Sequence, residues 1–250
     1  YSPYMKGMVQ ALHQNGLDAV SLNLRGCSGE NNQQPVTYHS GKTEDLDDAV
    51  QHLTKHAGYE TLYLVGFSLG GNLVLKYAGE QGSHLAQPIT RLAAVSIPFD
   101  LKTVAKFMNA LRNRIYQQRF LKTLKQKAFQ KLHQFPDLSL STENIIKASN
   151  FQEFDNAFTA PINGFKNAED YWEKCSCHHF LNGIDRPALL INALDDLFIP
   201  ANCIPQDAIK QNQNLALLTP KYGGHVGFGN WALSKLLWHE TTIMNFLNCL

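Results

Sequence analysis

Leu62-Tyr63-Leu64-Val65-Gly66-Phe67-Ser68-Leu69-Gly70-Gly71-Asn72 is the stretch on which this chain turns. A short apolar run of β type ends in Gly-x-Ser-x-Gly, and a run of helical type, Leu73 to Gly79, follows at once. A serine at the apex of a strand, tight turn and helix is held in a strained backbone, with its side chain pointing out of the sheet. Gly66 and Gly70 are expected to flank it because side chains there would collide with the neighbouring strand and helix. Ser68 would also stand at a helix N-terminus, where free backbone N–H groups can hold an anion. A five-residue pattern alone arises easily by chance, and the plain alternative is an ordinary turn with a capping serine. The strand before and the helix after favour a nucleophile. The rest of the chain must then supply an acid and a histidine, in the order Ser, Asp, His.

Outward from this turn, strands alternate with helices. Tyr4 to Gln14 reads as a helix, with Tyr4, Met8, Ala11 and Leu12 at helical spacing and Asn15-Gly16 to end it. Asp18 to Leu24 reads as a buried strand, and Arg25-Gly26-Cys27-Ser28-Gly29 as a structural turn at its carboxyl end. Thr43 to Lys55 is a second helix, with Leu46, Ala49, Val50 and Leu53 on its apolar face. Leu92 to Ile97, Ala188 to Ala193 and Leu215 to Leu218 are further strands. Asn230 to Leu250 reads as an amphipathic helix packed through Trp231, Leu236, Leu237, Trp238, Ile243, Phe246 and Leu247. This alternation predicts an α/β protein with a doubly wound, mostly parallel sheet. With the serine turn, it predicts the α/β-hydrolase fold. Between about residues 99 and 186 the alternation stops, which predicts a helical cap insertion in a single domain 1–250, with the core in 1–98 and 187–250.

The chain has 250 residues, 44% of them hydrophobic, enough for a sizeable core. A net charge of +1 gives no global reason to expect nucleic acid. No run of apolar residues is long enough to predict a membrane span. The near-neutral total hides an asymmetry. Leu101 to Pro136 carries nine Lys/Arg and no Asp/Glu, which leaves thirteen basic and twenty-one acidic side chains on the other 214 residues. Val104, Met108, Leu111 and Ile115 give one helical stripe, which Leu121, Leu124 and Ala128 continue or restart; the plain reading of the charge run is a solvated helix face. The sharper reading is a basic cap whose Lys122, Lys125 and neighbours contact anionic lipid. Five cysteines (Cys27, Cys175, Cys177, Cys203, Cys249) at irregular spacings read as reduced cytoplasmic thiols. Cys175-Ser176-Cys177-His178-His179 has no second ligand pair at zinc-like spacing, so packed residues are expected there and no metal.

A serine hydroxyl is a poor nucleophile without a base within about 3 Å. His225, in the glycine-flanked loop after the last strand, is the candidate among ten histidines. The acid should follow the preceding strand, where Asp195 and Asp196 both qualify. Hydrolases of this fold often carry Asp-x-x-x-Pro at that point, and Pro200 at this spacing favours Asp196, with Asp195 left to cap the following turn. The Leu69 N–H would supply one oxyanion donor.

Several stretches together resemble the YheT-like (AB hydrolase 4) branch of the α/β-hydrolase superfamily. They are Ser2-Pro3-Tyr4, Asn23 to Glu30, Tyr38-His39-Ser40-Gly41 with Thr43 to Leu46, Gly66 to Asn72, Thr159-Ala160-Pro161 with Gly164-Phe165, Asn192 to Asp196, and Gly223 to Phe228. Arg-Gly-Cys-Ser-Gly and Tyr-His-Ser-Gly are far more specific than Gly-x-Ser-x-Gly. The resemblance implies a serine esterase with a charge-relay triad on Ser68, Asp196 and His225 and no cofactor. Its substrate would be a small acyl ester or lipid. It also implies that the family's first strands and the His-Gly loop, which carries the second oxyanion donor, fall before Tyr1. A membrane-associated phospholipase or acyltransferase, and a non-catalytic binding protein on the same fold, are the alternatives. The sequence does not determine the oligomeric state.

Overall fold

A computed structural model describes residues 2–229 and 236–247. In chain order it opens with α1 (Pro3–Gln14), α2 (Thr43–Gln51), β1 (Leu62–Phe67), α3 (Leu69–Gln81) and β2 (Ile89–Val95). A helical stretch follows: α4 (Leu101–Met108), α5 (Arg114–Gln134), α6 (Thr142–Lys147), α7 (Phe151–Phe154), α8 (Ala160–Ile162) and α9 (Ala168–Cys175). The chain ends with β3 (Ala188–Ile191), α10 (Gln206–Gln211), β4 (Leu215–Leu218) and α11 (Trp238–Leu247). It forms two compact units. One is built from residues 1–22, 43–99 and 177–250, the other from 23–42 and 100–176.

The first unit holds a parallel sheet in the order β1-β2-β3-β4. Side chains alternate across the strands, so each face takes its own helices. Phe67, Ala93, Val95, Leu189 and Ile191 meet Met8 and Ala11 of α1 and Ile243, Met244 and Leu247 of α11 in one apolar cluster. On the other face α3 lies so close to the sheet that a Cβ at Gly71 would touch Ile97 at 3.3 Å and Ala94 at 3.4 Å. Helices on both faces make the sheet doubly wound. β2 starts earlier than expected, at Ile89, and stops at Val95, where Ser96 takes a positive φ of 53° and ends the regular strand. α2 continues into a π-helical turn, His52–His56, where a longer α-helix is expected. Of the expected C-terminal helix, α11 covers the middle. Trp231 and Cys249 lie outside the described residues.

One expected strand is absent. Residues 18–24 form no strand, and Val20 and Leu22 are exposed. β-branched and apolar composition favours an extended chain, but a strand exists only through a ladder with a neighbour, and none of the described strands pairs with this segment.

The second unit is helical. Leu121, Ala128, Ile145, Phe154 and Phe158 form one buried cluster, and Ala105, Ala160, Tyr171 and Trp172 another. The expected stripe Val104, Met108, Leu111, Ile115 does not hold together. Helix α4 stops at Met108, the Asn113 amide donates to the Phe107 carbonyl, and α5 starts in a new phase. That phase buries Gln117, Leu121 and Ala128 and leaves Leu111 and Ile115 more than four-fifths exposed, at 84% and 81%.

Candidate active site

The site lies at the carboxyl ends of the strands, where open parallel sheets bind ligands. Ser68 stands between β1 and α3 with φ 52° and ψ −120°. Its N–H donates to the Val95 carbonyl at 2.8 Å, and its carbonyl accepts from Gly71 at 2.9 Å and Asn72 at 3.2 Å. The strained residue is thus clamped on both sides. Its hydroxyl does not cap α3, which sets aside the plain capping-serine reading. A Cβ on Gly66 would lie 2.3 Å from the Gly70 carbonyl oxygen, so a side chain is impossible there. The expectation for Gly70 is corrected: nothing lies within 4 Å of a Cβ built on it. Gly71 is the tightly packed glycine of the pair.

The loop after β4 carries His225. The Cβ of any residue at Gly223 would fall 2.5 Å from the Phe228 ring, and Gly224 has φ +58°. Asp195 Oδ1 accepts both N–H groups, Gly223 at 2.9 Å and Gly224 at 2.8 Å. On the far side of the histidine, Val226 N–H donates to the buried Ser96 hydroxyl at 3.1 Å. The loop is thereby pinned from β2 and β3 together. Among the described residues, the non-glycine residues with positive φ are Ser68, Ser96, Val226 and Phe228, all in or next to this site. Such conformations cost of order 1–3 kcal/mol each and persist where surrounding contacts over-determine them.

The imidazole completes the arrangement. His225 Nε2 is 3.0 Å from Ser68 Oγ, and Nδ1 is 2.9 Å from Asp196 Oδ2. The Asp196 side chain is fully buried, and its Oδ1 accepts from the N–H groups of Phe198 at 2.8 Å and Ile199 at 3.1 Å. Asp196, not Asp195, therefore caps the following turn, a second correction. One carboxylate oxygen fixes the group in the protein and the other faces the imidazole. The Phe198 ring lies 4.8 Å from the imidazole, centroid to centroid, and limits its rotation. Asn192 bonds both the N–H and the carbonyl of Ile97, at 3.1 Å each, and ties the β2 and β3 ends together. Leu69 opens α3, so its N–H has no carbonyl one turn earlier to bond.

Ser96 and Phe198 had no signal in the sequence, and neither had the strand-tying role of Asn192 nor the loop-anchoring role of Asp195. Each acts on a partner far along the chain. Among the described residues no three His, Cys, Asp or Glu side chains are grouped to hold a metal ion. Cys177 is buried, with its N–H on Asn72 Oδ1 at 2.9 Å, and His178 Nδ1 lies 2.8 Å from the Phe99 carbonyl.

Comparison with known proteins agrees with this architecture. The family model described as the alpha/beta hydrolase fold matches residues 1–229. The chain belongs to the α/β-hydrolase family. This hydrolase is 36% identical to YheT of Escherichia coli (strain K12), a candidate esterase by its name, over 98% of the chain and 72% of that protein. It is 32% identical to the mouse phospholipase ABHD3 over 91% of the chain and 56% of that protein. The chain therefore spans little more than half the length of that relative. The Pyrococcus furiosus esterase Pf2001 has the same fold, with a TM-score of 0.58 at 15% identity, covering 98% of this chain and 74% of that one.

Proposed function

We propose that this α/β-hydrolase cleaves carboxylic esters through an acyl-enzyme on Ser68. The observation that carries the reading is the pair of contacts on one imidazole, 3.0 Å to the Ser68 hydroxyl and 2.9 Å to the Asp196 carboxylate. Ser68 Oγ attacks the acyl carbon while His225 Nε2 takes its proton. The Leu69 N–H donates to the oxyanion of the tetrahedral intermediate, at the positive end of α3. The intermediate collapses, the C–O bond to the alcohol breaks, and His225 returns the proton to the departing oxygen. Water, deprotonated by the same nitrogen, then releases the acid and regenerates Ser68. Asp196 holds the proton on Nδ1 and steadies the imidazolium as it forms. No step requires a cofactor.

The names of the relatives support ester chemistry, and that of ABHD3 supports a phospholipid among the substrates. The insertion leaves the core at Phe99, just beyond β2 on the edge that carries Ser68. We assign it the role of a cap that selects the acyl group. No helix among the described residues is long and apolar enough to cross a membrane. Cys27, Cys175, Cys177 and Cys203 form no disulfide, which fits a reducing compartment, the cytoplasm.

A fluorophosphonate probe and a p-nitrophenyl ester chain-length series test the reading. Labelling and turnover are expected in the parent and absent in Ser68→Ala. A parent that takes no label and turns over no ester would favour a non-catalytic binding protein. Labelling that survives Ser68→Ala would move the nucleophile elsewhere.

A further inference from the structure

The helical unit carries a surface that ester chemistry does not use. Several of its nine clustered cations are engaged within the unit. Lys102 pairs with Glu169 at 2.9 Å, Arg112 lies 4.5 Å from the Phe107 ring centroid, and Lys131 donates to the carbonyls of Asn32 and Gln34. Arg114, Arg119 and Lys122 differ. All three are exposed, and no carboxylate among the described residues is within ion-pair range of them. Arg114 and Lys122 join Lys125 along one side of α5, where they line a groove of about 700 Å³ closed opposite by Ser149 and Asn150.

One exposed aliphatic lines this groove, and two more belong to the segments beside it. Leu111 is one of its lining residues and is 84% exposed. Ile115, 81% exposed, precedes Arg119 and Lys122 by four and seven residues on α5 and so shares their side of the helix. Ile146, 59% exposed, offers its carbonyl to the Lys125 ammonium at 2.7 Å. A single exposed leucine is ordinary. Exposed aliphatics beside the unpaired Arg114, Arg119 and Lys122 form an amphipathic patch that water solvates poorly on one count and a free anion satisfies only on the other. A nucleic acid or an inorganic phosphate would use the cations and leave the aliphatics in water. A bilayer with anionic headgroups uses both.

We propose that this face of the helical unit docks on an anionic phospholipid surface. Arg114, Arg119 and Lys122 would meet the headgroup phosphates, and Leu111, Ile115 and Ile146 would enter the interfacial layer. The proposal does not depend on the chemistry assigned to Ser68, because it is read by binding alone.

Sedimentation with vesicles decides it, using phosphatidylcholine alone and phosphatidylcholine with about one-third phosphatidylglycerol. The protein is expected to pellet with the anionic vesicles and to remain in solution with the neutral ones. Arg114→Gln/Arg119→Gln/Lys122→Gln should lower partitioning on the order of a hundred-fold, and Leu111→Ser/Ile115→Ser by about ten-fold or more. Both variants alter exposed side chains, so turnover of a water-soluble ester and far-ultraviolet circular dichroism should be unchanged. Equal pelleting with the two vesicle types, or an unchanged triple variant, overturns the proposal. So does an unchanged Leu111/Ile115 variant, or displacement by inorganic phosphate where chloride of equal ionic strength has no effect. Either of these would make the groove a simple anion site.

Discussion

Adjacent carboxylates at 195 and 196 reach different partners, and substitution separates them. Asp196→Asn would leave the imidazole facing an amide that no longer stabilises the Nδ1 proton. If the proposed mechanism holds, kcat should fall by roughly 10⁴ with little change in KM. Asp195→Ala removes the acceptor of the Gly223 and Gly224 N–H groups and loosens the loop that aims His225. We expect a loss of roughly ten-fold in kcat. Asp195→Asn keeps a carbonyl oxygen in place and should restore most of it. Steady-state kinetics on one p-nitrophenyl ester distinguishes the three, and equal losses at both positions would contradict these roles. A buried carboxylate in the helical unit makes a different prediction. Asp155 accepts from the Trp172 indole at 2.9 Å, and burial pushes its pKa up to about 6 from 3.8. A raised acid stabilises fully below its unfolded value, and that contribution is lost as pH rises through about 6. Asp155→Asn keeps an acceptor without the buried charge. Thermal unfolding should show a gain on the order of 2 kcal/mol near pH 8, shrinking to nothing near pH 4.

At the scale of the element, the turn between β1 and α3 gives two glycines opposite tolerances. Gly66→Ala would drive a methyl into the Gly70–Gly71 peptide, 2.3 Å from the Gly70 carbonyl oxygen, a backbone group that cannot yield as a flexible side chain would. Its expected cost is several kcal/mol, enough to prevent soluble expression of a marginally stable domain. Gly70→Ala meets open space within the first turn of a helix and should be neutral or stabilising by about 0.5 kcal/mol. Chemical denaturation of the two variants checks the contrast, and comparable losses would mean the turn is packed differently. The break between α4 and α5 belongs to this scale too. Helical spacing alone joins Met108 to Leu111 and Ile115, but the Asn113 side chain takes the Phe107 carbonyl, α4 ends at Met108, and α5 starts in a new phase.

For the molecule as a whole, acid stability depends on the packing of α11. His239 is fully buried against the rings of Phe67 and Phe228, and neither ring nitrogen has a partner among the described residues. Burial lowers its pKa from 6.5 to about 4. Because the folded value lies below the unfolded one, its neutral form stabilises the fold above about pH 6.5, and that stability is lost as pH falls through about 4. His239→Leu should flatten the acid limb of a plot of melting temperature against pH, and an unchanged limb would assign acid unfolding to other groups. The class of fold was legible before any coordinates. The Gly-x-Ser-x-Gly turn sits between a β-type and a helix-type run, and the later strands end next to Asp195-Asp196 and His225. These are local signals: periodicity, glycine at a crowded turn, and charged residues at strand ends. What lay beyond the sequence is whatever depends on a second segment. Residues 18–24 have strand composition yet pair with no described strand, since a ladder needs an edge that composition cannot supply. Asp195 and Asp196 are chemically identical; the spacing to Pro200 favours Asp196 as the acid, but the loop-anchoring role of Asp195 and the capping role of Asp196 come from the paths of the Gly223–His225 loop and the turn to Ile199. Ser96 and Asn192 gain their roles from bonds to residues distant in sequence or on a neighbouring strand end. Short-range sterics and hydrogen bonding are written into neighbouring residues. Contacts between distant residues exist only once the sheet has brought its strand ends to one edge.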